Sequence, residues 1–317
     1  MIQTVCGPIA PQQLGVCLPH EHLWCDTRRA ARPHLFGLFG GPDLILRDKE
    51  LMHRELRSFR QAGGEALVEV TTPGWGRDVT VLRDISEQTG VHIIATTGFY
   101  VDACLPPLVD SRSVIQLADG LLRELEQGVG STGIRPGLLK VATSTSRIEG
   151  REEKALQAVA RAQTRTGRAI TTHTPNARNP EMAGGNMGEA FLSFFEAYGV
   201  HPHRLIIGHV DARPRPESLV KLGRAGCYLA FDLVGAPHRL HDESRALLIK
   251  TLIDEGLLHR LLLSHDVCQH SHTQAGGGRG FCHIFTHFLP RLRKWGISAG
   301  EIHTMMVDNV ARVLTPG

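Results

Sequence analysis

Short runs of β-branched and leucine residues recur along the chain, each followed by a longer stretch in which apolar residues return every three or four positions. The runs 16–21, 66–72, 92–98, 137–143, 169–174, 204–210, 227–233 and 261–265 read as strands. Between them, 48–62 places Leu51, Leu56 and Phe59 at helical spacing, and 79–89 does the same with Val81, Leu82 and Ile85. The helical pattern continues through 113–126, 151–166, 188–198, 216–225, 242–255 and 280–295. Gly63-Gly64, Gly90, Gly167, Gly199, Gly226 and Gly256 each lie just ahead of the next strand, where a helix ends in a left-handed residue. Eight strand-then-helix units predict an α/β fold of the (β/α)8 TIM-barrel type, one domain over 1–317 with a short N-terminal extension. A doubly wound sheet is the alternative. The lack of a Gly-rich dinucleotide fingerprint turns the choice toward a closed barrel.

Composition narrows the partners. The formal net charge of +3 is spread along the chain with no basic run, so no nucleic-acid partner is expected. Seven scattered cysteines without CxxC spacing suggest reduced thiols and a cytoplasmic protein. No basic-then-apolar leader precedes Ile2 and no apolar stretch approaches membrane-spanning length, so neither export nor a membrane partner is expected. The 18 histidines are the anomaly, because imidazole is the commonest metal ligand.

In such a barrel the active site forms where strands end, and several predicted strands end in polar residues. The first ends in His20-Glu21-His22, whose two imidazoles project from one face because strand side chains alternate. The fourth carries Lys140 within Gly137-Leu138-Leu139-Lys140-Val141-Ala142. The fifth ends in Thr172-His173, the sixth in Gly208-His209 and the eighth in Ser264-His265-Asp266. Each alone has an ordinary explanation: a rim histidine, a helix-capping aspartate, a lysine that snorkels or pairs. Together they form a pattern. An ammonium at the end of an apolar barrel strand is costly unless neutralised or paired. As a free amine it can add carbon dioxide and become a carbamate, an anion able to bridge two cations. The set is then four imidazoles and two anions around two divalent metals.

The chain resembles the phosphotriesterase family of the amidohydrolase superfamily, in its phosphotriesterase-related and lactonase-like branch. The resemblance runs from Gly7-Pro8-Ile9 and Leu18-Pro19-His20-Glu21-His22-Leu23 through Ala95-Thr96-Thr97-Gly98-Phe99-Tyr100. It continues in Leu139-Lys140-Val141-Ala142-Thr143, Ile170-Thr171-Thr172-His173-Thr174 and Ile207-Gly208-His209-Val210-Asp211. It ends with Leu263-Ser264-His265-Asp266, Pro290-Arg291-Leu292 and Val307-Asp308-Asn309. It implies a binuclear metallohydrolase. His20, His22 and Asp266 would hold the more buried metal, His173 and His209 the more exposed one, and carboxylated Lys140 would bridge them with a hydroxide. Such a hydroxide is nucleophilic near neutral pH and attacks an ester-like bond, with Asp266 accepting its proton. Zinc suits the imidazole-rich set; manganese, cobalt and iron fit the same mixed donors. The resemblance also implies a homodimer acting on a small-molecule substrate.

The substrate is set by loops. Tyr100 stands where the lactonase branch places a tyrosine beside the metals; the alternative is a rim-packing residue. Leu233 stands where lactonases commonly carry arginine and triesterases histidine, and Asp211-Ala212 lacks the double acidic pattern of the triesterases. A lactone or related carboxylic ester is the expected substrate. Phosphotriester or phosphoester hydrolysis and deacylation of N-acyl amino acids are the alternatives. The loop 269–280 carries Gly276-Gly277-Gly278, the pattern of a mobile lid, with His270 and His272 as solvated residues or an extra metal site. Arg279 and Arg178 are candidates to meet a substrate carboxylate or phosphate. The apolar segment 30–42 would line a pocket or a dimer contact. Two competing readings remain: a Cys25 nucleophile, and a barrel that keeps its metals but has lost turnover.

Overall fold

The computed structural model describes residues 1–30, 41–175 and 187–317. An N-terminal hairpin of β1 (Ile2–Thr4) and β2 (Gly7–Ile9) leads into the first barrel strand, β3 (Cys17–Glu21). A two-stranded ribbon, β4 (Cys25–Asp26) with β5 (Ile45–Leu46), follows. The remaining barrel strands are β6 (Ala66–Glu69), β7 (His92–Gly98), β8 (Leu138–Ala142), β9 (Ile170–His173), β10 (Leu205–Ile207), β11 (Tyr228–Phe231) and β12 (Leu261–Leu263). β3 and β6 to β12 form one parallel eight-stranded sheet in sequential order. Helices Lys49–Gln61, Val79–Thr89, Val114–Gln127, Gly150–Thr166, Met187–Ala197, Pro216–Ala225 and Asp242–Asp254 alternate with the strands. The (β/α)8 barrel expected from the periodicity is the observed fold. Every predicted strand is present, most of them shorter at the carboxyl end, because the terminal residues leave the ladder to present side chains at the rim.

The last predicted helix differs. Residues 280–282 form a turn, and the helix begins at His283 and runs through a π-turn, Ile284–Phe288, into Leu289–Lys294. Beyond 295, Ala299–His303 and Asn309–Leu314 add further helix that the periodicity did not single out.

Period-two alternation sorts each strand into two faces. Leu18, Leu67, Ile93 and Leu139 pack outward against the helices. Cys17, Ala66, Val68, Ile94, Leu138, Ala169, Ile206, Tyr228 and Leu262 form the inner cluster, which Ile2 of the hairpin and Val310, Val313 and Leu314 of the last helix cover from below. Asn309, at the start of that helix, donates to the carbonyls of Leu258 and Leu261, both at 2.9 Å, and so anchors it at the foot of β12. On the same inner faces, moving up the strands, Lys140 follows Leu138 and His173 follows Ala169 and Thr171. The barrel interior thus turns from apolar floor to polar rim along each strand.

No ladder joins β12 to β3. The seam closes through Glu21, whose carboxylate is fully buried. Oε1 accepts from the Ser264 hydroxyl at 2.8 Å and the His265 amide at 2.7 Å; Oε2 accepts from the Val267 amide at 2.9 Å. Ser264 also accepts from the His20 amide at 3.0 Å, and the Asp266 amide bonds the His20 carbonyl at 3.2 Å. Among the described residues no helix is long and apolar enough to cross a membrane.

Glu21→Ala would leave the buried His265 and Val267 amides without an acceptor. A loss of about 3 kcal/mol or more in unfolding free energy is expected, read by urea denaturation. A loss below about 1 kcal/mol would mean that the seam does not depend on this carboxylate.

Candidate metal centre

Four imidazoles, one amine and one carboxylate meet at the carboxyl ends of β3, β8, β9, β10 and β12. His22 Nε2 lies 3.3 Å and His20 Nε2 3.7 Å from Asp266 Oδ1. Lys140 Nζ is 3.4 Å from His20 Nε2, and His209 Nε2 is 2.7 Å from His173 Nδ1. Local chain geometry aims two of these groups. His209 and Asp266 are the only described residues other than glycine with positive φ, 56° in each case. A left-handed conformation costs an L-residue about 1–2 kcal/mol. Here it turns each side chain inward at the point where its strand stops. Gly98, with φ +133°, runs so close to β8 that a Cβ there would stand 2.1 Å from the Lys140 carbonyl oxygen, and this contact sets the path to Tyr100.

A layer of buried acceptors behind the imidazoles fixes which nitrogen faces the site. Asp232, absent from the sequence-level set, sits at the end of β11 with both oxygens engaged. Oδ1 lies 2.8 Å from His209 Nδ1 and Oδ2 2.9 Å from His20 Nδ1. It also accepts from the His209 amide at 2.9 Å. His22 Nδ1 lies 2.7 Å from the Thr71 hydroxyl, which itself donates to Glu69. In each case a polar group stands behind Nδ1, so the Nε2 atoms of His20, His22 and His209 turn toward the common space. The signal for Asp232 was available, since Phe231-Asp232 is a strand-end carboxylate like Asp266. Glu69 and Thr71 carried no comparable signal.

Burial dominates the electrostatics. It pushes His20 down to about 4, with Lys140 reinforcing the shift and Asp232 opposing it. It pushes His173 well below the usual imidazole range, and His209 and Lys140 add to that. At His209 burial works the same way, but the Asp232 carboxylate outweighs it and the group is raised. Burial would raise Asp266 too; the histidines around it prevail and hold it ionised, well below the ordinary carboxylate value. Burial lowers Lys140 to about 8, so about a tenth of it is free amine at pH 7, far more than for an ordinary lysine. Imidazole nitrogens turned inward, an ionised carboxylate and a lysine amine of lowered basicity are donors a divalent cation takes, and the residues present fit one. His20, His22 and Asp266 bring their ligand atoms within 4.8 Å of one another, as do His20, His209 and Asp232.

Around this cluster, Tyr100 lies buried with its hydroxyl 3.2 Å from His173 Nδ1. Its ring stacks on Trp75 at 4.3 Å, and Trp75 meets the His22 ring edge-on at 4.8 Å. Trp75 was not singled out from the sequence, because a lone tryptophan in a loop carries no spacing signal. Leu233 is buried directly beyond Asp232. Arg279 is half-buried and donates to the backbone carbonyls of His265 at 2.6 Å and Asp266 at 3.1 Å. The loop 269–280 is tied down by Asp43, which accepts from the Ser271 amide at 2.6 Å, and by Glu55, which accepts from the Ala275 amide at 3.2 Å. Gly276 and Gly278 answer close packing, since a Cβ would stand 2.1 Å from the His270 carbonyl oxygen at the first and 2.2 Å from the Ser271 carbonyl oxygen at the second. His272 accepts from the Cys268 amide at 3.4 Å, while His270 is exposed. Burial holds the Cys25 thiol far above the range in which it would ionise, which counts against a thiolate nucleophile. Arg178 and most of segment 30–42 lie outside the described residues.

A model of the phosphotriesterase family matches residues 1–314. The chain is 33% identical over 296 residues to the phosphotriesterase homology protein of Escherichia coli (strain K12), covering 93% of this chain and 96% of that protein. It is 31% identical over 349 aligned positions to N-acetyltaurine hydrolase of Rattus norvegicus, covering 99% and 97%. A solved lactonase from Listeria monocytogenes superposes with a TM-score of 0.88 at 26% identity, covering 100% of this chain and 99% of that one.

Asp232→Asn keeps the shape of the acceptor but removes its charge. It should weaken metal binding by about 10–100-fold in a competitive zinc titration, and unchanged affinity would show that Asp232 does not orient the imidazoles. The metal-free protein should also lose stability as pH falls from 6.5 to about 4. Unfolded His20 takes up a proton that the buried ring refuses, so the unfolded state gains over this window. Urea midpoints across that range, compared with those of His20→Asn, measure the difference; parallel curves would remove His20 as the cause.

Proposed function

Because the chain belongs to the phosphotriesterase family of hydrolases, we propose that it is a binuclear metal-dependent enzyme that opens lactones or related carboxylic esters. Two divalent cations, zinc foremost, would be held by His20, His22, His173, His209, Asp266 and carboxylated Lys140, supplying Lewis-acid polarisation of the acyl oxygen and an activated water. The chain's own groups account for the rest. Asp266, held ionised, is the base at the centre of the cluster and takes the proton released as the acyl bond is attacked. Tyr100 is the observation that carries the ester reading. Burial, with Asp266 adding to it, raises its phenol well above the usual value, so it stays protonated. Beside His173 it can donate a hydrogen bond to the acyl oxygen or to the alkoxide that leaves. Trp75 supports its ring, Leu233, next to Asp232, is the proposed apolar wall, and Arg279 is the proposed contact for an anionic substituent.

A second reading, deacylation of N-acyl amines that carry an acidic group, is favoured by the N-acetyltaurine hydrolase relatives. The same donors would serve it. Phosphotriester turnover has less support, because Leu233 and Ala212 offer no proton-accepting or cationic group where such chemistry would use one.

A pH-indicator assay of the metal-loaded protein with δ-valerolactone, p-nitrophenyl acetate, diethyl p-nitrophenyl phosphate and N-acetyltaurine separates these readings. Lactone and ester turnover is expected to exceed the others. Tyr100→Phe should lower kcat/KM for the lactone about 100-fold with bound metal unchanged. Faster cleavage of N-acetyltaurine would replace the ester reading with the second one, and no turnover of any of the four would sink both.

A further inference from the structure

Arg245 belongs to the helix Asp242–Asp254, outside the metal centre, yet its guanidinium is fully buried. A guanidinium cannot escape burial by losing its proton, so it must be matched by fixed acceptors. Its nitrogens serve three of them. Nε donates to Asp211 Oδ2 at 2.6 Å, Nη2 to the Leu233 carbonyl at 2.7 Å, and Nη1 to Asp242. Asp211 Oδ2 also accepts from the Leu233 amide at 3.2 Å, so the main chain of Leu233 is gripped on both sides. Asp211 stands two residues beyond His209, next to the Ala212 amide that closes the left-handed turn on the His209 carbonyl at 3.1 Å.

Asp242 extends the grip. Its Oδ1 accepts from the Gly235 amide at 3.0 Å and its Oδ2 lies 2.7 Å from His283 Nε2. Gly235 has no room for a side chain: a Cβ would stand 2.8 Å from the His283 ring and 2.9 Å from Arg279 Cδ. Arg279 in turn holds the carbonyls of His265 and Asp266. One cation therefore ties the exits of β10 and β11 directly, and Asp242 carries the link on to Gly235 and His283.

We infer that Arg245 is a positioning residue: by clasping the main chain of Leu233 it fixes the apolar wall of the site, and thereby the size of substrate the wall admits. Only the kinetic part of its test rests on the hydrolase reading. A purely structural ion pair can be replaced by apolar side chains of similar volume with little change in stability. A clasp cannot, because the replacement has no donor for the Leu233 carbonyl.

The test compares the metal-loaded parent with Arg245→Met combined with Asp211→Leu, a pair that leaves no buried charge at that contact unmatched. Amide exchange at Val234 and Gly235, whose acceptors Ser264 and Asp242 the double variant keeps, is expected to rise about tenfold, because this segment opens without the fork. The ratio of KM for p-nitrophenyl butyrate to KM for p-nitrophenyl acetate should shift about fivefold, with kcat on the acetate within about twofold of the parent. Unchanged exchange overturns the clasp. Raised exchange with an unchanged KM ratio reduces Arg245 to a structural role and overturns the specificity claim. If the double variant does not fold, Arg245→Lys, which keeps the charge but not the three-way fork, is read by the same two measurements. If neither ester is turned over, the hydrolase reading fails on its own and the exchange result alone decides the clasp.

Discussion

In the seam between the first and last barrel strands a fully buried carboxylate, Glu21, gathers the Ser264 hydroxyl and the backbone amides of His265 and Val267. No strand-to-strand ladder does this work. A charge at zero exposure is tolerated only when its lone pairs are filled, and filling them holds the ends of β3 and β12 in register. His20 and His22 leave the one strand and Asp266 the other. Their meeting at 3.3 to 3.7 Å follows from where this seam closes.

The rim above the seam concentrates cost. Two residues accept left-handed backbone, four imidazoles lie close together, and an amine is buried among them. Each feature opposes folding on its own. Strain and desolvation gathered at one place mark a site kept for chemistry. The compensation is local. Asp232 faces the Nδ1 atoms of two histidines on different strands, and Glu69 acts on a third through Thr71. A cation in the space they face would remove the remaining cost, since every inward lone pair would then have a partner.

Outside that cluster the neighbouring side chains are held by different means on different sides. Trp75 and Tyr100 form a stacked aromatic face whose position follows from the close passage of Gly98 over β8. The main chain of Leu233 is held by Asp211 and Arg245. Arg279, expected at the sequence level to await an anionic substrate, spends one nitrogen on the carbonyls that flank the Asp266 turn. In the glycine-rich stretch beside it, whose composition matched a lid, Gly276 and Gly278 are packed against the backbone of 270–272.

The chain order alone determined the eight strands, most of the helices, and the candidate ligands His20, His22, Lys140, His173, His209 and Asp266. Those features are local: a period of two or of 3.6, a glycine at a helix end, a polar residue where an apolar run stops. The floor built from Ile2 and the last helix, the Glu21 seam, the Asp232 bridge and the Arg245 clasp were decided only by the tertiary structure. Glu21 meets residues more than 240 positions away, and Arg245 meets Asp211 across 34. Spacing along a chain says which face a side chain occupies. Which distant partner it meets there depends on how the sheet closes, and that closure sets the buried hydrogen bonds on which the site stands.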